Sequence, residues 1–305
     1  MNDAAKGQTM TDGVTILDGG MGRELMRMGA PFRQPEWSTL ALLEAPSFVS
    51  RAHQAYVDAG ATVITTNSYA IVPFHLGEPR FAANGRELAD LAGSLARRVA
   101  GQGNVRVAGS LPPPLGSYRP DLFEPVEASR ILRPLIDGLA LHVDLWLAET
   151  QSSIREVETV RAMLGDDRRP LWLSFTLAEE LADGRARLRS GEEVRKAAAR
   201  AVDLGAAAIL FNCSPPEVME AAILEAREAV PAGQTLGVYA NAFVPRARKA
   251  ANEGLSGLRD DTGPDAYLDC ARQWVGAGAS IVGGCCGIGP EHIGALAAGL
   301  ARSQA

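Results

Sequence analysis

Short apolar runs recur along this chain, and each is followed by a longer stretch in which apolar positions return every three or four residues. Val14–Leu17, Val63–Thr66, Val105–Ala108, Leu145–Ala148, Leu171–Phe175, Ala208–Phe211, Leu236–Tyr239 and Ser280–Val282 have the length and continuous apolarity of strands buried on both faces of a parallel sheet. Between them the spacing predicts helices over Ser47–Ala59, Ala82–Ala100, Glu127–Leu141, Ser153–Leu164, Glu192–Leu204, Pro215–Ala229, Asp265–Val275 and Pro290–Ala301. Pro215, Pro264 and Pro290 stand at helix starts, where the missing N–H has no helical partner to lose. Eight alternations of strand and helix predict the α/β class and a single (β/α)8 TIM barrel. A doubly wound sheet is the competing architecture, but it usually has fewer strands and gathers its ligand at one switch point.

The carboxyl ends of these runs favour the barrel. They carry Asp18-Gly19-Gly20, Asn67-Ser68, Gly109-Ser110, Glu149-Thr150, Ser174, Asn212-Cys213, Asn241 and Cys285-Cys286, a polar or reactive group at every one. In a barrel those ends converge on the catalytic face. Three connections on that face, Gly19–Pro46, Ser110–Pro125 and Ala242–Pro264, are long enough to be expected as covers of a substrate.

Composition narrows the partners. The chain has 305 residues, 47% of them hydrophobic, enough for one substantial core; residues 13–305 are expected to form it, behind a disordered tail over residues 1–12. A formal charge of −6 without a Lys/Arg run argues against nucleic acid and anionic lipid, and leaves small molecules as the expected partners. No run reaches the roughly 18 apolar residues of a membrane span, and the polar first dozen residues lack the pattern of a secretory signal. A cytoplasmic location is the expectation, and there the four cysteines would stay reduced.

Three of those cysteines suggest a metal. Adjacent residues on a strand point to opposite faces, so Cys285 and Cys286 can reach one ion only if the backbone leaves the strand; Gly283, Gly284 and Gly287 around them permit that. Cys213 ends the sixth run, and barrel closure brings it toward the eighth. Three thiolates would leave a tetrahedral zinc one open position, as in a catalytic site. Burial as small hydrophobes is the alternative for cysteines, and it is the reading for Cys270 inside a predicted helix. A redox pair at Cys285-Cys286 is a further option, though a ring closed by vicinal cysteines is strained. His53, His75, His142 and His292 form neither H-x-H nor H-E-x-x-H, which disfavours an imidazole metal site.

In these residues the chain resembles the homocysteine S-methyltransferases, a family of zinc-dependent barrels. The stretches that carry the resemblance are Ile16-Leu17-Asp18-Gly19-Gly20-Met21-Gly22, Thr65-Thr66-Asn67-Ser68-Tyr69, Glu149-Thr150, Asn212-Cys213 and Gly283-Gly284-Cys285-Cys286-Gly287. The resemblance implies zinc on Cys213, Cys285 and Cys286. It also implies that Asp18 and Glu149 meet the ammonium of homocysteine and that the amides of Gly19 and Gly20 meet its carboxylate, with Asn67 nearby. Trp37-Ser38 resembles a segment that closes over the substrate. Arg23 departs from the family pattern, since many relatives carry a small hydroxyl residue there.

The activity implied is methyl transfer to homocysteine, giving methionine. Family donors include the sulfonium compounds S-methylmethionine and S-adenosylmethionine and, in another branch, betaine; a sulfonium is the expectation. Two alternatives stay open: a homocysteine-activating subunit working with a corrinoid or betaine partner system, and a non-catalytic barrel that stores or senses zinc or a thiol.

Overall fold

The computed structural model describes residues 13–101, 103–243 and 257–301. Among these, eight strands run as β1 (Thr15–Ile16), β2 (Val63–Thr65), β3 (Arg106–Leu111), β4 (Leu145–Gln151), β5 (Leu171–Phe175), β6 (Ala208–Asn212), β7 (Thr235–Tyr239) and β8 (Ile281–Val282). All pair in parallel, in the order β1-β8-β7-β6-β5-β4-β3-β2. A parallel bridge between Leu17 and Val63 and a bond from the Asp18 amide to the Val63 carbonyl (3.1 Å) join the two ends, so the sheet closes as the expected (β/α)8 barrel.

Strand period two sorts the side chains. Leu17, Val63, Ala108, Leu145, Leu147, Trp172, Ala208, Leu210, Tyr239 and Ile281 form the packed interior of the barrel. Their neighbours, such as Ile64, Trp146, Leu173 and Phe211, belong to the larger core beneath the helices. Continuing the inward register two residues beyond Ala108, Leu147, Trp172 and Leu210 gives Ser110, Glu149, Ser174 and Asn212, all buried. The pleat that fills the interior with apolar side chains thus delivers a polar layer directly above it.

The helices are α1 (Met21–Arg27), α2 (Ser38–Glu44), α3 (Pro46–Asp58), α4 (Pro73–Leu76), α5 (Glu78–Ala100), α6 (Pro125–Leu139), α7 (Ile154–Leu164), α8 (Val194–Asp203), α9 (Met219–Ala229), α10 (Pro264–Gly276) and α11 (Pro290–Leu300). The connection Gly19–Pro46, expected as a loop, instead contains α1 and α2. Their amphipathic signal is weak for identifiable reasons. The buried residues of α1 are Glu24 and Leu25, so half of its hidden face is a carboxylate, which bonds Arg27 at 2.8 Å. α2 is seven residues with five consecutive ones buried, a run that periodicity cannot separate from a strand. Pro215 opens a 3-10 turn at Pro216–Val218, and the α-helix begins only at Met219. Residues 1–12, expected as a tail, and residues 244–256 of the connection Ala242–Pro264 lie outside the described residues.

Candidate thiolate and substrate site

β8 ends at Val282, and the two following glycines turn the chain across the mouth of the barrel. The turn is fixed from four sides. Gly284 donates to the Asp18 carbonyl (3.0 Å), Cys285 to the Ala240 carbonyl (2.9 Å), and Cys286 accepts from the Ala242 amide (2.9 Å). From below, the buried Tyr267 hydroxyl donates to the carbonyls of Gly283 (2.8 Å) and Ala240 (3.1 Å). A Cβ on Gly20 would lie 2.6 Å from the Cys285 carbonyl oxygen, so the first glycine turn and the cysteine turn approach as closely as only glycine allows.

Cys213 follows β6 with a left-handed φ of 51°, a strained conformation for a residue with a side chain, and its amide is held by the Tyr239 carbonyl at 3.2 Å. The result is that the sulfurs of Cys213, Cys285 and Cys286 all lie within 4.8 Å of one another. Cys213 Sγ and Cys286 Sγ are 3.9 Å apart, and two thiolates on one tetrahedral zinc, each at about 2.3 Å, would be separated by about 3.8 Å. Hydrogen bonds from Cys285, Cys286 and Tyr118 hold the Cys213 thiol well below its ordinary range, while hydrogen bonding to Cys213, with burial adding to it, pushes Cys285 and Cys286 up. The three sulfurs form a group that could hold a metal. Cys270 stands apart on α10, half-buried rather than in the deep core.

Above the sulfurs opens a cavity of about 740 Å³. Asp18, Gly19, Gly20, Trp37, Ser38, Asn67, Glu149, Cys213, Cys285 and Cys286 all line it, so the structure brings every site residue read from the sequence to one place. Asp18 accepts from the amide and the hydroxyl of Thr65, each at 2.7 Å, and Glu149 accepts from the Ser110 hydroxyl. Burial outweighs these bonds and pushes Asp18 up to about 7 and Glu149 up to about 8, with the Asp18 charge adding to the effect at Glu149. The Gly20 amide donates to the Ile288 carbonyl (2.9 Å), which commits one of the two amides expected to meet a carboxylate. Asn67 ties the lid segment down by donating to the Ser38 carbonyl at 3.1 Å. Trp37, with a φ of 52°, caps α2 and faces His75, which also lines the cavity and bonds the Pro35 carbonyl at 2.8 Å.

Several further residues without a motif of their own also reach this site. Tyr118 donates to Cys213 Sγ at 2.9 Å; it lies in the Ser110–Pro125 connection, whose length was the only signal for it. The segment from Thr176 to Glu193 folds as a hairpin, through bridges Leu177–Leu188 and Ala182–Arg185, and brings Glu179 and Arg189 to the cavity wall. Its own length, with Asp183-Gly184 at the turn, was the available signal. Of the non-glycine residues described with positive φ, Trp37, Tyr118, Thr150 and Cys213 line the cavity, and Asp183 alone lies elsewhere, at the hairpin tip. Backbone strain is concentrated at this site.

Fold and site together define a parallel α/β barrel with a three-cysteine centre at its carboxyl face. The chain belongs to the homocysteine S-methyltransferase family, whose pattern it matches over residues 15–300. It is 31% identical to the homocysteine S-methyltransferase of Escherichia coli K12, across 93% of this chain and 94% of that protein. It is 26% identical to the selenocysteine Se-methyltransferase of Brassica oleracea, across 94% and 88%. Among solved structures, the metallated form of the E. coli homocysteine methyltransferase MmuM superposes with a TM-score of 0.75 at 29% identity, across 94% of this chain and 96% of that one. Members of this family are enzymes acting on small molecules, and no described helix is long and apolar enough to cross a membrane.

Proposed function

We propose that this enzyme transfers a methyl group from a sulfonium donor to homocysteine, with zinc held by Cys213, Cys285 and Cys286, in one catalytic barrel running from residue 13 to 305. The observation that carries the reading is the convergence of three sulfurs within 4.8 Å at the floor of a cavity that also holds a buried acidic pair. Zinc bound there would stabilise an acceptor thiol as its thiolate at neutral pH, where a free thiol is mostly protonated.

The chain's own residues do the rest. Asp18 and Glu149, both raised toward neutrality by burial, regain their ionised forms when the ammonium of homocysteine arrives beside them. The Gly19 amide faces the substrate carboxylate, since the Gly20 amide is engaged by Ile288. Trp37 and Ser38, pinned through Asn67, close the acceptor side and exclude water. The acceptor thiol releases its proton to solvent; its sulfur lone pair then forms a new C–S bond as the donor's C–S bond breaks, and the donor leaves as a neutral thioether. Trp37, Tyr69, Tyr118, Tyr239 and Phe243 line the same cavity and favour a cationic donor.

A cytoplasmic location fits four cysteines that remain unpaired. The test is a donor panel of S-methylmethionine, S-adenosylmethionine and betaine, scored for methionine, with zinc measured in parallel and no corrinoid added. Methionine formed from a sulfonium with about one zinc per chain is expected. Turnover only with a corrinoid protein, or zinc binding with no turnover on any donor, would replace the reading with one of its alternatives.

A further inference from the structure

The acidic pair, the first glycine turn and the sulfurs account for the acceptor, but other charged groups in the cavity remain. Arg189 and Glu179 both stand in the wall, on the hairpin between β5 and α8. The Arg189 side chain is 19% exposed, and its guanidinium carbon lies 4.9 Å from the centre of the Tyr118 ring. The hydroxyl of that ring is 2.9 Å from Cys213 Sγ. A single aromatic side chain therefore separates Arg189 from the sulfur centre where the methyl group must be delivered.

The guanidinium is poorly used as it stands. Both Nη1 and Nη2 reach the same oxygen, Glu179 Oε1, and only at 3.5 Å; the buried Nε has no hydrogen-bond partner among the described residues. Guanidinium is a planar fork of donors suited to a two-pronged bond with a carboxylate, and a buried donor left without an acceptor calls for an explanation. A stretched pair of opposite charges at the wall of a cavity is also the complement of a zwitterion, with one charge for each end.

Resting on the sulfonium reading above, we propose that Arg189 and Glu179 form the head-group subsite of the methyl donor. The donor class is then a sulfonium carrying an α-amino acid, its carboxylate on the Arg189 fork and its ammonium on Glu179. Tyr118 lies between head group and sulfonium, so the donor lies along its ring with the methyl directed at the sulfurs. The structure in this way separates two amino-acid clamps in one cavity: Asp18 and Glu149 for the acceptor, Glu179 and Arg189 for the donor.

The experiment compares S-methylmethionine with trimethylsulfonium, which has the reacting centre and no head group, in the zinc-loaded parent, Arg189→Gln and Arg189→Lys. In Arg189→Gln the preference for S-methylmethionine over trimethylsulfonium, as a ratio of kcat/KM, should fall roughly tenfold or more, with the donor KM moving further than the homocysteine KM. Arg189→Lys should recover part of the preference. A preference retained in Arg189→Gln overturns the subsite, and an equal loss on both donors reduces Arg189 to a support for Tyr118. Calorimetric titration with S-methylmethionine separates this from the underlying reading. A parent that binds the compound without transferring its methyl overturns the donor reading, and weaker binding in Arg189→Gln still supports the subsite. A parent that neither binds nor turns over any sulfonium overturns both.

Discussion

Asn212 and Thr150 exchange two hydrogen bonds across the barrel mouth: the Thr150 amide donates to Asn212 Oδ1 at 2.9 Å, and Asn212 Nδ2 donates to Thr150 Oγ1 at 2.8 Å. Ser174 adds a third bond to Asn212 Oδ1 at 2.7 Å. Asn212 precedes Cys213, and Thr150 follows Glu149; Cys213 and Thr150 are both held at positive φ. This pair thus fixes the end of β4 to the end of β6, and with them a candidate substrate carboxylate to a candidate metal ligand. Asn212→Ala should lose about 3 kcal/mol of stability by leaving buried groups without partners, and should weaken both zinc and homocysteine. Thermal unfolding, zinc titration and the homocysteine KM measure the three effects. A variant that lost stability alone would show that the pair serves the fold and not the site.

Zinc content should follow the cysteines one by one. Cys285→Ser is expected to release the metal from a folded chain, because two remaining thiolates do not make the three-ligand site. Cys270→Ser, on α10 and away from the group, should keep the parent's metal. Elemental analysis beside circular dichroism reads both, and full zinc with full activity in Cys285→Ser would remove that residue from the centre.

Replacing the Glu149 carboxylate by an amide should act on the acceptor and not on the metal. Glu149→Gln keeps the shape and the Ser110 partner but loses a charge-assisted bond, worth about 1.5–3 kcal/mol, so the homocysteine KM should rise roughly tenfold to a hundredfold. Zinc should stay at the parent level. An unmoved KM would exclude Glu149 from acceptor binding.

Acid should unfold the protein partly through His53. Its ring is fully buried on α3 with neither nitrogen hydrogen-bonded among the described residues, and burial lowers it from 6.5 to about 4. The folded state accepts only the neutral ring, so its contribution is intact above about pH 6.5 and is lost as pH falls toward 4, approaching about 3 kcal/mol. Asp18, Glu149 and Glu156, raised to about 7, 8 and 7 by burial, favour the folded state as pH falls from those values toward the ordinary carboxyl range, so they oppose the histidine across the same window. The His53→Met variant isolates the histidine part: between pH 7 and pH 5, denaturant titrations should show the variant gaining stability relative to the parent, since the carboxyls act equally in both, and an unchanged difference would refute the assignment.

The chain sequence determined the barrel and the identity of the reactive groups. A strand buried on both faces must read as an apolar run, so all eight strands were legible, within a few residues of their ends. Glycines were needed wherever Cys285 and Cys286 had to leave the strand, and they marked the turn in advance. Tertiary structure alone decided what those groups meet. Tyr118 reaches Cys213 across 95 residues and Asn212 reaches Thr150 across 62, and no local spacing encodes such distances. Arg189 carries no local signal of a role, which appears only when the hairpin places it over Tyr118, and α1 hides because the face it buries carries Glu24. Local patterns record which side of an element is buried; the partners on that side are set by closure of the barrel, which brings distant strand ends together around one cavity.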